Sequence, residues 1–418
     1  MVKISSNLKN ELLLTAANFR HGIVLKPQTA QTGLSDIPSI WHVGIPQNSS
    51  EPWKSAAGGV SRNLKDASIA AIGEGLERYS ASAYELPVKL RSEIDTPELI
   101  GPEDFSLFSK EQVKQTDFPF ANLYEDETGF TNVYSVYDNQ EKWVPHGLVS
   151  LRDDFSTGLS TSSGLAAGYS KQFSLLRAIQ ELIERDALMT TWLHSVPGRK
   201  VETPKKYLDE IIHKGGNITC IDATPAYSPH PVAIVAGSLP IRGNQRYSLG
   251  SACRETWEEA LEKAYLEWVQ GVFFAGYYYS LNPDLQFNSY DEVNTFDSHA
   301  VYYTVNPSEW AKIPLLKGDN YKRQSQEVKS RNNTIALTKL IKALHKQNIR
   351  LFYRDLTTSD LLQLGVYTIR ALSPDMLPIY CHQKYPFIGG TASDVLRRYP
   401  WAKKHNLEFP NSMPHPLG

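Results

Sequence analysis

Two stretches of the chain repeat one polar pattern at helical spacing. Residues 71–78 read Ala-Ile-Gly-Glu-Gly-Leu-Glu-Arg, and residues 178–185 read Ala-Ile-Gln-Glu-Leu-Ile-Glu-Arg. A looser third copy places Glu267 and Gln270 three positions apart. Because side chains three and four positions apart lie on one face of an α-helix, each segment should present its polar groups as a single stripe. The repeat therefore predicts three helices with polar stripes.

Apolar residues surround the carboxylates of the two closer copies. Ile72 and Leu76 flank the first acidic pair. Ile179, Leu182 and Ile183 flank the second. An exposed helix face with weak ion pairs is the ordinary alternative, because such Glu and Arg spacings are common in solvated helices. The recurrence of one string in apolar surroundings favours burial, and buried carboxylates need partners.

Convergence of the three helices would gather a large negative charge in one place. The groups concerned are five carboxylates, two guanidinium groups and one amide: Glu74, Glu77, Arg78, Glu181, Glu184, Arg185, Glu267 and Gln270. Like charges at this density require a counter-charge, and bound divalent cations supply one. The sequence therefore predicts a site for magnesium and a polyphosphate.

Small and hydroxyl-bearing residues precede the predicted helices. Residues 160–168, Ser-Thr-Ser-Ser-Gly-Leu-Ala-Ala-Gly, are predicted as a loop that opens directly into the second helix. A helix N-terminus favours anions, so Ser162 and Ser163 are candidates for contact with a phosphate. An ordinary tight turn is the alternative. Asn63 is a candidate N-cap of the first helix, and a Gly-Ser turn is predicted at residues 247–252, before the third.

Composition and charge exclude several classes of function. The net charge of −2 gives no basic footprint for nucleic acid or an anionic membrane. No apolar run approaches the roughly 18 residues that span a bilayer, and the N-terminus lacks a secretory signal pattern. The 3 cysteines are scattered. A cytoplasmic enzyme is therefore expected, and neither a P-loop nor a dinucleotide-binding motif is present.

The remaining pattern predicts a mixed α/β fold. Strands are predicted at residues 130–137, 142–151, 217–222, 231–239, 349–353 and 366–372, and helices at 8–19 and 335–346. The last eight residues, Asn-Ser-Met-Pro-His-Pro-Leu-Gly, are excluded from helix and central strand by their prolines.

Taken together, these motifs resemble the YcaO superfamily. The resemblance rests on the glycine-rich lead and acidic helix of residues 58–78, the small-residue loop and second acidic helix of residues 163–187, the Glu-x-x-Gln pair, and the Pro-His-Pro terminus. It covers most of residues 55–418, and it predicts an N-terminal segment at residues 1–54. Within that domain, a variable insert is expected at about residues 90–150 and a proline-rich tail at residues 410–418.

The resemblance implies a fold in which three acidic helices line an ATP and magnesium site. Matched motif by motif, the magnesium ligands would be Glu74, Glu77, Glu181 and Glu184. Residues that would contact the nucleotide or orient the metal ligands are Arg78, Ser162, Ser163, Arg185, Glu267 and Gln270. The tail residues Pro416 and Gly418 would support catalysis, whereas the alternative is a disordered terminus.

The chain departs from the family pattern at several positions. Gly59-Val60-Ser61 stands where the family often has Gly-Lys-Gly, and Arg62 is the nearest substitute for that lysine. Ser163 and Tyr169 stand where asparagine is common, and Ala70 where serine is usual. The tail ends in Pro-Leu-Gly, where Pro-Phe-Pro is commoner.

By length and tail, the chain most resembles the stand-alone cyclodehydratase that forms azolines in ribosomally made peptides. That reaction would convert Cys, Ser or Thr residues of a precursor peptide to thiazolines or oxazolines with ATP. A separate ThiF-like protein would capture the leader, because only a short segment precedes Gly58. A flavin-dependent azoline dehydrogenase and a homodimer within the complex are further implied partners. Thioamide or amidine formation, and a non-catalytic scaffold subunit, remain open alternatives.

Overall fold

The computed structural model describes residues 11–30 except 12, 19 and 21, and residues 39–43, 56–159, 161–324 and 327–418. Its helices are α1 Leu64–Ala83, α2 Lys110–Val113, α3 Lys171–Leu193, α4 Lys205–His213, α5 Trp257–Leu281, α6 Phe296–Val305, α7 Pro307–Trp310, α8 Asn333–Lys346, α9 Ser359–Gln363 and α10 Val395–Arg398. Its strands are β1 Gln28–Ala30, β2 Ser39–Val43, β3 Ala56–Val60, β4 Lys89–Leu90, β5 Gly129–Ser135, β6 Glu141–Pro145, β7 Leu165–Gly168, β8 Arg199–Val201, β9 Asn217–Asp222, β10 Val232–Ile241, β11 Asn244–Cys253, β12 Phe352–Asp355 and β13 Tyr367–Leu372. Among these helices, none is both long and apolar enough to cross a membrane.

The chain forms two compact units. The first comprises Met1–Phe105, Lys110–Leu182 and Asn332–Pro374. The second comprises Ser106–Ser109, Ile183–Arg331 and Asp375–Gly418. The boundary runs through α3, so the N-terminal half of that helix belongs to unit 1 and the C-terminal half to unit 2. Most of the predicted segment 1–54, including both ends of the predicted helix at residues 8–19, lies outside the described residues. The predicted division at residue 55 stays a prediction.

Unit 1 contains two antiparallel sheets. The larger has the order β4-β5-β12-β13-β7, with β6 paired to β5, and the smaller has the order β1-β2-β3. The strands predicted at residues 130–137, 349–353 and 366–372 are confirmed within a few residues. The strand predicted at 142–151 is shorter, because β6 ends at Pro145 and a 3₁₀ turn, His146–Leu148, follows.

The predicted loop at residues 160–168 is partly wrong. Its second half is strand β7, which pairs with β13 residue by residue. Gly164 forms the turn before it with a φ of +80°, and a Cβ there would lie 2.4 Å from the carbonyl oxygen of Ala371. Small residues carry no alternating apolar pattern, so the strand depends on hydrogen bonds from a partner that is distant in sequence. Ser160 itself lies outside the described residues.

Unit 2 is built on one antiparallel sheet with the order β11-β10-β9-β8. The predicted strand pair, residues 217–222 and 231–239, is confirmed, with Val235 opposite Cys220. The predicted turn at residues 247–252 is wrong, because those residues continue β11. The turn lies earlier, at Arg242 and Gly243, whose φ values of 52° and 82° match a two-residue hairpin. Overall, the predicted mixed α/β fold is confirmed.

Each acidic helix directly follows a strand, giving the pairs β3–α1, β7–α3 and β11–α5. Asn63 caps α1 as predicted, accepting a hydrogen bond from the backbone nitrogen of Asp66 at 2.9 Å. Glycine permits two of the strands to approach a helix backbone closely. A Cβ on Gly59 would lie 2.3 Å from the oxygen of Ala67, and one on Gly250 would lie 2.2 Å from the oxygen of Ala264.

Replacing Gly59 with alanine tests the strand–helix contact in unit 1. We expect Gly59→Ala to lower the free energy of unfolding by about 1–3 kcal/mol, because the added methyl group overlaps the backbone of α1. Gly73 is the matched control, since a Cβ there meets nothing within 4 Å. Gly73→Ala should raise stability by about 0.5–1 kcal/mol through its helix propensity. Chemical denaturation measures both changes, and equal effects would show that the close approach is absent.

Candidate active site

All eight predicted polar residues lie on the three strand-linked helices. α1 carries Glu74, Glu77 and Arg78, α3 carries Glu181, Glu184 and Arg185, and α5 carries Glu267 and Gln270. None of them is exposed: Glu184 is buried and the other seven are half-buried. The helices therefore do not present the solvated stripe that was the ordinary alternative.

In unit 1, α1 and α3 bring Glu77 and Glu181 close together. Burial and the charges of Glu181 and Glu74 raise the pKa of Glu77 well above its ordinary value. The Glu77 carboxylate also accepts a hydrogen bond from the backbone nitrogen of Ala167, on β7, at 3.2 Å. This crowding of half-buried carboxylates favours the uptake of a proton or a cation.

Arg370 is a counter-charge that the sequence analysis missed. It lies on β13 and is only 2% exposed. Burial lowers its pKa to about 10, while the charges of Glu181 and Glu77 act in the opposite direction. Its Nε donates to the carbonyl oxygen of Leu148 at 2.9 Å. Its buried Nη1 has no hydrogen-bond partner in the part of the chain that the structure describes. A single arginine within the apolar run Thr-Ile-Arg-Ala-Leu was the available signal.

Glu74 has its own partners on α1 and β3. It accepts a hydrogen bond from the backbone nitrogen of Gly58 at 3.0 Å and forms an ion pair with Arg78, four residues later. Arg78 lies beside Glu74. If Arg78 contacts a nucleotide as predicted, its guanidinium would bind the nucleotide and the Glu74 carboxylate together.

In unit 2, Glu184 is held at the end of β11. It accepts hydrogen bonds from Ser251 Oγ at 2.9 Å and from the backbone nitrogen of Cys253 at 3.3 Å. Nη2 of Arg185 lies 3.7 Å from the same carboxylate. The neighbouring strand residue, Gly250, packs against the backbone of α5 at Glu267. Unit 2 thus links Glu184 to the polar turn of α5 through a single strand.

The polar turn of α5 already contains a cation. Lys263 forms an ion pair with Glu267 at 3.1 Å, one helical turn earlier. Gln270 is half-buried on the following turn. A nucleotide or metal contact through Glu267 would therefore compete with Lys263.

Ser162 and Ser163 lie in the turn before β7, where the backbone nitrogen of Leu165 donates to the Ser162 carbonyl oxygen at 3.0 Å. They do not lie at a helix N-terminus, because β7 separates them from α3. The helix begins after Ser170, whose hydroxyl accepts from the backbone nitrogen of Phe173 at 3.2 Å. The helix-dipole argument for these two serines was therefore wrong. The geometric argument, a glycine turn with little side-chain bulk, still stands.

The C-terminal tail packs into unit 2 without helix or strand, as its prolines predicted. Trp192 Nε1 donates to the Met413 carbonyl oxygen, and Tyr303 OH to that of Pro414, both at 2.7 Å. Pro416 is buried, whereas Gly418 is exposed. The tail is thus anchored by its middle residues, which argues against a loose terminus.

Two stacked histidines complete the anchor of the tail. The rings of His299 and His415 lie 3.8 Å apart and nearly parallel. Burial, together with the charge of Arg185, lowers the pKa of His415 to about 4. This influence places the tail close to Arg185, one of the predicted nucleotide contacts.

The donor set suits magnesium bound through a phosphate. Carboxylate oxygens are hard ligands of the kind that Mg²⁺ prefers, and Mg²⁺ commonly takes one or two of them together with substrate phosphates and water. Within the described residues, no group of three or more His, Cys, Asp or Glu side chains forms a cage for a metal ion. Such an arrangement fits a cation that arrives with a polyphosphate better than one held by protein alone.

A protein-family model, described as YcaO cyclodehydratase, ATP- and Mg²⁺-binding, matches residues 58–377. The match includes all three acidic helices and Arg370, and ends before the tail. The predicted resemblance to this superfamily is confirmed, and ATP and Mg²⁺ are confirmed as cofactors at the level of the family. A comparison with curated protein sequences finds no significant match.

Several solved structures share the fold. A heterocyclase in complex with substrate and cofactor matches with a TM-score of 0.76 and 16% identity, over 97% of this chain and 57% of that one. YcaO from Methanopyrus kandleri, bound with AMPPCP and Mg²⁺, matches with a TM-score of 0.63 and 13% identity, over 93% and 91%. The E. coli microcin synthetase McbBCD complex matches with a TM-score of 0.60 and 16% identity, over 86% and 90%.

A double-mutant cycle tests the charge balance around Arg370. We expect Arg370→Met to cost about 3–5 kcal/mol of unfolding free energy without magnesium, because it removes the buried cation beside two crowded carboxylates. Adding Glu77→Gln should recover about 0.5–3 kcal/mol of that loss. Glu103, which pairs with Arg91 elsewhere in unit 1, provides the control. Chemical denaturation should show Glu103→Gln to be additive with Arg370→Met. Additivity of Glu77→Gln as well would refute the proposed coupling.

Proposed function

The chain belongs to the YcaO family, and we propose that it is an azoline-forming cyclodehydratase. It would use ATP to convert Cys, Ser or Thr residues of a ribosomally made peptide to thiazolines or oxazolines. The observation that carries the proposal is the set of half-buried and buried carboxylates on three strand-linked helices. Such groups are costly to gather in a protein that does not bind cations.

The reaction removes one water for each ring. The side-chain sulfur or oxygen loses its proton as it attacks the carbon of the preceding peptide bond, and the carbonyl oxygen becomes the oxygen of a tetrahedral adduct. ATP bound with magnesium would supply a γ-phosphoryl group to this oxygen, with ADP as the leaving group, and so make the oxygen a good leaving group. The nitrogen lone pair then expels phosphate as the C=N bond of the azoline forms, and the nitrogen loses its proton. Because phosphoryl transfer depends mainly on positioning and charge neutralisation, carboxylates and arginines are sufficient.

We assign magnesium binding to Glu74, Glu77, Glu181 and Glu184. The crowding around Glu77 and the hydrogen bonds that orient Glu184 support this assignment. Residues assigned to the nucleotide are Arg78, Ser162, Ser163, Arg185, Glu267 and Gln270. Arg370 would hold the carboxylates of unit 1 in place when no cation is bound. Pro416 and Gly418 would position the peptide, which the proximity of His415 to Arg185 supports.

The chain spans 57% of the first of the heterocyclases described above, so partners remain part of the proposal. We propose a separate leader-binding, ThiF-like protein, a flavin-dependent azoline dehydrogenase as a possible further component, and a homodimer within the complex. The similar E. coli microcin synthetase is a multiprotein complex, which supports a multicomponent assembly.

Incubating the protein with a precursor peptide, the leader-binding partner and ATP tests the proposal. Loss of one water per ring in the mass spectrum of the peptide supports cyclodehydration. Exchange of oxygen for sulfur when sulfide is added would support thioamide formation, and condensation with an amine would support amidine formation. If ATP is not hydrolysed with any pairing, a scaffold role is favoured, consistent with Val60 at the position where the family often has lysine.

Glu184→Gln tests the metal assignment. The amide keeps the shape of the side chain and one acceptor oxygen for the donors on β11, so the fold should persist. Phosphate release should fall by about 100-fold or more, because the lost charge stabilises phosphoryl transfer. Glu309→Gln, a half-buried carboxylate of unit 2 that pairs with Lys312, is the matched control and should leave the rate unchanged. Phosphate release by Glu184→Gln at the wild-type rate would show the assignment to be wrong.

Deletion of Leu417 and Gly418 tests the role of the tail. The anchors at Met413 and Pro414 remain, so the melting temperature should change little. We expect ring formation to slow by about tenfold or more, because the peptide is less well positioned, while ATP affinity stays the same. Mass spectrometry follows the rings, and nucleotide titration follows binding. Equal loss of both would indicate that the tail has only a structural role.

A further inference from the structure

Unit 2 contains a cavity of about 240 Å³ to which none of the three acidic helices contributes. Its lining combines cationic and aromatic side chains with a single acid: Arg199, Asp319, Tyr321, Trp401, Lys404 and His405. Nothing in the chemistry proposed above uses these residues.

Two aromatic rings lie close to the guanidinium of Arg199 at the wall of this cavity. Its guanidinium carbon lies 4.6 Å from the ring centre of Tyr321 and 4.1 Å from that of Trp401. Such cation–π contacts hold the group by its charge and do not occupy its five N–H donors with oxygen acceptors. Among the described residues, no side chain or carbonyl accepts a hydrogen bond from this group. Arg199 therefore offers a rigid fork of donors without a protein acceptor.

Backbone contacts fix the wall that carries Arg199. The backbone nitrogen of Lys200 donates to the carbonyl oxygen of Asp319 at 2.9 Å, and that of Tyr321 donates to Lys200 at 2.6 Å. Gly198 and Gly318 pass so closely that a Cβ on Gly318 would lie 1.7 Å from the oxygen of Gly198. The chain segments on either side of Arg199 are thus already in place before any ligand arrives.

The charges of the cavity favour a singly charged anion. Lys404 adds a second cation to the lining, and His405 adds an imidazole ring. Asp319 lies in the same lining and disfavours a doubly charged phosphate by repulsion. The volume is below the roughly 300–1,000 Å³ typical of pockets for drug-sized ligands, so it suits one or two side chains better than a nucleotide.

We propose that this pocket binds the carboxylate of an aspartate or glutamate in an acidic peptide segment. Arg199 makes a bidentate hydrogen-bonded pair with the carboxylate, and Lys404 adds charge at the rim. The pocket is a docking site for the peptide that the enzyme modifies, at a place separate in sequence from the acidic helices. This assignment rests on the proposed function only in naming that peptide as the ligand.

Binding of two defined peptides tests the proposal. The probes are acetyl-Gly-Ser-Glu-Glu-Ser-Gly-amide and the same peptide with glutamine in place of both glutamates. The indole N–H signal of Trp401, assigned with Trp401→Phe, reports binding by NMR without ATP or a partner. We expect the glutamate peptide to shift this signal. The glutamine peptide should bind at least about tenfold more weakly, because hydrogen bonds to a charged carboxylate are stronger than those to a neutral amide.

Two neighbouring lysines provide a matched pair of variants. Lys403 and Lys404 are both exposed on the 3₁₀ turn Pro400–Lys404, but only Lys404 lines the cavity. Lys404→Gln should weaken the glutamate peptide severalfold, whereas Lys403→Gln should not. Arg199→Lys, which keeps the charge but loses the fork, should weaken it by about tenfold. The two lysine changes are at exposed positions and leave the fold intact, so a negative result with them remains informative.

Several outcomes would overturn the proposal. Equal binding of the two peptides, or equal effects of the two lysine variants, would show that no carboxylate site exists. A stronger response of Trp401 to inorganic phosphate than to the glutamate peptide would show that the ligand class is wrong. The assay contains no ATP, so it tests the pocket independently of the reaction. If the protein binds the glutamate peptide through Arg199 but never hydrolyses ATP, the pocket proposal stands and the proposed reaction is refuted.

Discussion

The candidate active site depends on how carboxylates are accommodated when helices bury them wholly or in part. Two of them use the same solution, a hydrogen bond from the backbone of the strand that leads into the next acidic helix. Glu77 on α1 accepts from Ala167 on β7, and Glu184 on α3 accepts from Cys253 on β11. An N–H group that donates to a carboxylate stabilises the charged form. Each helix is thereby tied to the following strand–helix pair.

These ties explain why strands precede the helices so directly. A strand holds its backbone N–H donors at a defined position along the axis of the neighbouring helix, whereas a flexible loop would not hold them there. The close contacts at Gly59 and Gly250 serve the same end, because a side chain at either glycine would push the strand away from its helix. Fold and site are therefore linked through the same few backbone contacts.

The charge balance in unit 1 has a further component. Glu77 and Glu181 share one buried arginine, Arg370, which the lowered pKa of that residue shows to be strongly desolvated. Glu74 adds a further negative charge and Arg78 a further positive charge beside Glu77. Crowded carboxylates of this kind are groups that a bound metal ion can neutralise. The arginine thus balances part of this charge within unit 1, and under the proposed function the remainder would attract Mg²⁺. A fully neutralised cluster would not attract a cation, and a cluster without Arg370 would lack this counter-charge when no cation is bound.

The sequence by itself determined the three acidic helices and their polar faces, since helical periodicity is a property of neighbouring residues. Its motifs also carried the resemblance from which the family and its cofactors were predicted. It also predicted the apolar strands of both units. Only the tertiary structure showed that the small-residue stretches before α3 and α5 are strands, because their ladders are completed by β13 and β10. It likewise decided that Arg370 lies near Glu77, and that Arg199 contacts Tyr321 and Trp401. These residues are far apart along the chain, and no local pattern encodes a contact that depends on how sheets and helices pack.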